Sequence, residues 1–115
     1  MVESSEFRLF ALTFREVIEA RHFERVSFKV KNKIFATLDN ERLSGTVRLS
    51  KQNQTEVVFK YTNLVQPVAG AWGAKGWTLL NLELIDIEAM QEILVMAYND
   101  IIGGDKKDGK ITFRI

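Results

Sequence analysis

The sequence predicts an α+β fold: a two-layer sandwich in which an antiparallel sheet of about four to five strands packs against helices. Three observations carry this. Apolar residues recur at three- and four-residue steps near both ends of the chain, apolar/polar alternation fills much of residues 27 to 49, and the gaps between the alternating segments have room only for hairpin turns. Helices before, between and after such strands suit two segregated layers, in the order α-β-β-β-α-β-α.

Taken in order, Phe7, Phe10, Ala11, Phe14, Val17 and Ile18 mark one face of a first helix. Ser4 or Ser5 caps it, Glu6 sits in its first turn, and the pattern carries it to about Ala20. Alternation begins at Ser27-Phe28-Lys29-Val30-Lys31, reverses tightly at Asn32, and resumes at Lys33-Ile34-Phe35-Ala36-Thr37-Leu38. Asp39-Asn40-Glu41-Arg42 makes a second turn, and Leu43 to Leu49 a third strand. Ser50 caps a helix through about Tyr61, with Val57, Val58 and Tyr61 toward the core. Pro67 and the glycines at 70, 73 and 76 argue against regular structure between there and a fourth strand, Trp77 to Leu84. Asp86 opens a long final helix with a wide apolar stripe (Ile87, Met90, Ile93, Leu94, Ala97, Tyr98, Ile101), closed by Gly103-Gly104. The tail 110–115 alternates and reads as an edge strand or a frayed terminus.

The 115 residues show no linker, repeat or shift in composition, so residues 1–115 are taken as one domain. Surface scaling gives about 6,400 Å² folded against about 19,000 Å² unfolded, enough burial for one core without staples. There is no cysteine, which removes disulfides, thiolate nucleophiles and sulfur-based zinc sites, and the lone histidine, His22, removes multi-histidine metal sites. The N-terminus is acidic where a secretory leader is basic, and the longest apolar run, Ile93 to Tyr98, is far too short to span a membrane. The expectation is a cytoplasmic protein with no membrane partner.

Net charge is only +1, but it is unevenly placed. Residues 76–105 hold six acids and no Lys or Arg, which leaves sixteen bases against nine acids elsewhere. With Phe28, Val30, Ile34, Ala36, Val47 and Leu49 facing the core, strict pleating sends Lys29, Lys31, Lys33, Phe35, Thr37, Ser44, Thr46 and Arg48 to the opposite face. Such a face is either an ordinary solvated surface or a phosphate-contacting one.

The segment Gly70-Ala71-Trp72-Gly73-Ala74-Lys75-Gly76-Trp77-Thr78 matches neither the dinucleotide fingerprint nor the P-loop, and Lys75 lacks the following hydroxyl that would hold magnesium. It reads first as a structural corner in which Trp72 and Trp77 seal the end of the core, and alternatively as a recognition loop exposing Trp72 and Lys75. No Ser–His–acid set can be assembled, and Glu83, Asp86 and Glu88 are explained by the start of a helix, so no catalytic residue, cofactor or metal is assigned.

Several stretches together resemble the MmcQ/YjbR family of small bacterial proteins. They are Ala11-Leu12, Glu16-Val17, His22-Phe23, Ser27-Phe28-Lys29-Val30, Lys33 to Leu38, Val68-Ala69-Gly70-Ala71-Trp72-Gly73, Gly76-Trp77-Thr78, Leu82 and Ala97-Tyr98, spread over residues 7 to 102. Arg15 stands where the family commonly has a proline, which suggests a longer first helix here. The resemblance implies helices packed on an antiparallel sheet, similar to the double-wing DNA-binding motif and to type III secretion chaperones. It brings no catalytic residues.

The function expected is therefore a non-enzymatic module that binds double-stranded DNA through Lys29, Lys31, Lys33 and Arg48, aided by Trp72 and Lys75. His22 and Trp77 are further candidates. A protein-binding adaptor is the alternative and a small-molecule binder the third; the sequence leaves the oligomeric state open.

Overall fold

The computed structural model describes residues 1–103; the expected tail strand and Gly104 lie outside the described residues. The first helix, α1, is Ser4–Thr13. Its N-cap is Glu3 rather than a serine, and the Glu3 amide donates to the Glu6 carboxylate at 2.8 Å. The helix stops well before Ala20. Phe14 turns extended, and its ring stacks on Tyr98 with centroids 4.6 Å apart. Glu16 then takes φ 64°, and the Tyr98 hydroxyl donates to the Arg15 carbonyl at 2.8 Å. That aromatic contact competes with one more helical turn and wins, which frees Ile18–His22 to form a strand, β1. The longer helix suggested by Arg15 is not formed.

Strands β2 (Arg25–Val30), β3 (Lys33–Asp39) and β4 (Ser44–Arg48) follow as expected. Lys31 and Asn32 both have positive φ, the two-residue hairpin geometry that matches strand twist. Ser50 caps α2 (Lys51–Lys60), accepting from the Asn53 amide at 3.1 Å. The region expected to be irregular instead holds a short strand, β5 (Val65–Pro67), and a single turn, α3 (Ala71–Ala74). Pro67 is tolerated because β5 is an edge strand. Strand β6 is Trp77–Asn81, and α4 spans Ile87–Gly103, with the Asp86 carboxylate accepting from the Ala89 amide at 2.9 Å.

The result is an α+β two-layer sandwich. Its six-stranded sheet runs β1-β2-β3-β4-β6-β5 with every neighbour antiparallel. Helices α1, α2 and α4 lie on one face, and the core fills the space between them and the sheet, led by Phe7, Phe28, Phe35, Leu80, Met90, Ile93 and Leu94. Gly45 lets the Phe7 ring lie against the sheet, since a Cβ there would sit 2.6 Å from it.

A bulge in β3 alters which residues face which layer. Phe28 pairs with Ala36 but Lys29 pairs with Ile34, so Phe35 is the extra residue. Phe35 and Ala36 are both fully buried, while Ile34 is 38% exposed. Strict alternation had placed Ile34 inside and Phe35 outside. The Phe35 ring packs edge-on against Phe14 and Tyr98, at 6.2 and 5.8 Å. Burying a phenylalanine contributes about 1.5–3 kcal/mol, which favours the bulge over unbroken pairing.

Candidate functional site

The strand pairings define the sheet face away from the helices. Cross-strand partners share a side, so Lys29 brings Ile18 and Ile34 with it, Thr37 brings Ser27 and Thr46, and Arg48 brings Trp77. Arg25 and Asp39 pair on the same side and form an ion contact at 3.5 Å. Asp39 is the one acid among these outward strand positions, and its charge is met by Arg25. Lys29 and Arg48 enter no ion pair among the described residues.

At the centre of this face lies a shallow hollow of about 340 Å³ lined by Arg25, Ile34, Thr37, Thr46, Val68, Trp72 and Trp77. Its floor is the Thr37–Thr46 hydroxyl pair, 2.6 Å apart. Trp72, 61% exposed, stands at its rim from α3, and its ring meets Trp77 edge-on at 6.5 Å. The Lys75 ammonium lies 5.7 Å from the Trp72 ring centre, within cation–π range. A second hollow of about 200 Å³ adjoins it across the Thr46–Leu79 pair, lined by polar groups that include Arg42, Asn63, Gln66 and Asn81.

The loop that carries Trp72 is held from beneath. Gln54 of α2 is buried, and its amide nitrogen donates to the Gly73 carbonyl at 3.0 Å, the Trp77 carbonyl at 3.2 Å and the Thr78 hydroxyl at 3.2 Å. Its own oxygen accepts from Lys51 at 2.7 Å. Gly76 has φ 105°, and a Cβ there would lie 2.0 Å from the Leu49 carbonyl oxygen. Backbone approach this close requires glycine.

The residues singled out in the sequence divide accordingly. Arg48, Trp72, Lys75 and Trp77 come together on the open face, and Lys29 shares that face two strands from Arg48. Lys31 sits on the hairpin turn at the sheet's end. Lys33 does not join them: it pairs with the buried Val30 and so takes the helix side, shifted there by the bulge. His22 is at the end of β1, edge-on to the 82% exposed Phe23, and lines neither hollow. The tryptophans do not seal the core; both stand on the opposite side of the sheet from it. Arg25, Ile34, Val68 and Gln54 were not foreseen. Gln54 had a signal, since it lies one turn before Val57 and Val58 on the buried stripe of α2.

Fold and site together define a class: a small antiparallel-sheet protein with helices on one face and a largely apolar, aromatic hollow on the other. The chain belongs to the YjbR family, whose model matches residues 12–100. A solved structure, protein DR2400 of Deinococcus radiodurans, described with the family-model domain DUF419, is similar over 94% of this chain and 82% of that one, with a TM-score of 0.76. At 20% identity that similarity speaks for the fold. No curated protein matches the chain.

Proposed function

We propose that this protein is a non-enzymatic, cytoplasmic nucleic-acid-binding module whose contact surface is the helix-free sheet face. One observation carries the reading: Arg48 and Lys75 adjoin two tryptophans, and Lys29 shares their face, whose one outward strand acid is already paired. Cations without carboxylate partners neutralise phosphates, and aromatic and hydroxyl groups between them suit bases and sugars. The acids of α4 lie in the other layer, where Glu92 binds Lys60 and Tyr61 and Asp100 binds Asn53.

The test is a fluorescence-anisotropy titration of a mixed-sequence duplex across a salt series. Three phosphate contacts give a log–log slope of about −2.7. Lys29→Glu with Arg48→Glu should abolish most of the binding, while Lys33→Glu, on the other side, should weaken it far less. Equal loss from both variants would overturn the mapping. The apolar lining from Ile34, Val68, Trp72 and Trp77 favours a second reading, a protein partner held by an apolar side chain; salt-insensitive binding of a peptide in place of nucleic acid would select it.

A further inference from the structure

Resting on that reading, we infer that the nucleic acid recognised is an unpaired strand, with one base stacked on Trp72 in the central hollow and the chain continuing into the second. Among the described residues, the open face lacks the parts that read a duplex. Major-groove recognition inserts an α-helix or a free two-stranded ribbon. Here α1, α2 and α4 lie behind the sheet, α3 is a single turn, and the β2–β3 hairpin is flanked by β1 and β4.

What the face offers instead is a ring surface beside an apolar recess. In a duplex the flat faces of the bases are hidden in the stack, and only edges, sugars and phosphates meet a protein; in a single strand they are free. Trp72 is exposed next to a hollow walled by Ile34 and Val68, with the Thr37–Thr46 hydroxyls at its floor. Base-on-indole stacking fits the walls, and the hydroxyls can exchange hydrogen bonds with a base edge. Lys75 and Arg48 stand beside the two tryptophans, where the phosphates flanking a stacked base would lie. The adjoining hollow supplies Arg42, Asn63, Gln66 and Asn81, a polar surface for the sugar and base of the next nucleotide, with the Glu83 carboxylate also in its lining, so that the phosphate lies toward Arg42. Thr46 and Leu79 form the low sill between them. The loop is preorganised for this work, since Gln54 fixes its backbone without touching the exposed face.

The experiment compares a short fluorescein-labelled oligothymidylate, an oligouridylate and a duplex of equal length, each titrated across a salt series. Tighter binding of either single strand than of the duplex is expected, with a single-strand slope of about −2.1 for three contacts. Trp72→Ala, at an exposed position that does not support the core, should weaken the single strand roughly 5- to 100-fold and leave the duplex unchanged. Both tryptophans of the chain lie at the site, so quenching of intrinsic fluorescence reports the same event. Tighter duplex binding, or equal loss on both probes with Trp72→Ala, overturns this inference while the broader function stands. No binding of any probe at low salt overturns both.

Discussion

The side chain of Phe35 decides which face its neighbours take, and this can be tested at single positions. Unbroken alternation would make Ile34 the core residue and Phe35 the tolerant one; the bulge reverses that. Phe35→Ala should cost about 3–5 kcal/mol in denaturant unfolding, whereas Ile34→Lys should stay within about 0.5 kcal/mol. The opposite order would mean the bulge is absent. Gln54 is the second such residue. Gln54→Leu removes the hydrogen bonds from Gln54 to the Gly73 and Trp77 carbonyls and the Thr78 hydroxyl, groups that each keep another partner, so a loss of about 1–3 kcal/mol for the lost bonds together is expected. Intrinsic fluorescence should shift with it, because the loop it holds carries both tryptophans.

Among the elements, those whose pattern is local were legible in the sequence. Alternation from Ser27 to Leu49, the Ser50 cap and the stripe from Ile87 to Ile101 each describe what formed. Elements set by distant partners were not. Phe14 fits the helical stripe of α1 and leaves it only because Tyr98 and Phe35 arrive from elsewhere in the chain. Strand β5 is three residues ending in proline, too short to show a period, and exists through its pairing with β6. The candidate site was half legible for the same reason. Lys29 and Arg48 followed from pleating, but the tryptophans read first as a seal on the core, and the position of Lys33 depends on a bulge made by core packing. The α3 turn is the most exacting element. Gly76→Ala combines a positive φ with a Cβ 2.0 Å from the Leu49 oxygen, and should destabilise the fold by about 3 kcal/mol or more in the same unfolding assay.

For the whole molecule, acid sensitivity follows from how the elements are tied. The Tyr61 hydroxyl donates to Glu92 at 2.5 Å and, with Lys60, holds that carboxyl below its ordinary value of 4.5. The guanidinium of Arg8 does the same for Glu19, joining α1 to β1. Both groups bind a proton more readily unfolded than folded, so their stabilisation is complete above the ordinary glutamate range and is lost as pH falls through the lower folded values. The thermal midpoint should therefore fall with acidification below about pH 4.5, and Glu92→Gln should flatten part of that fall. A midpoint indifferent to acid would mean these pairs contribute nothing.

The order of the strands also determines how the sheet meets a neighbour. Its two borders are unequal. Among the described residues, the border along β5 is three residues long and ends in Pro67, which has no amide hydrogen to offer another chain. Along β1 it is five residues long, and Glu19 and Arg21 put charges of opposite sign on it, a pattern that discourages indiscriminate strand addition. Among the described residues, lengthening of this sheet by another molecule, ordered or pathological, has one side from which to start, and that side carries its own guard.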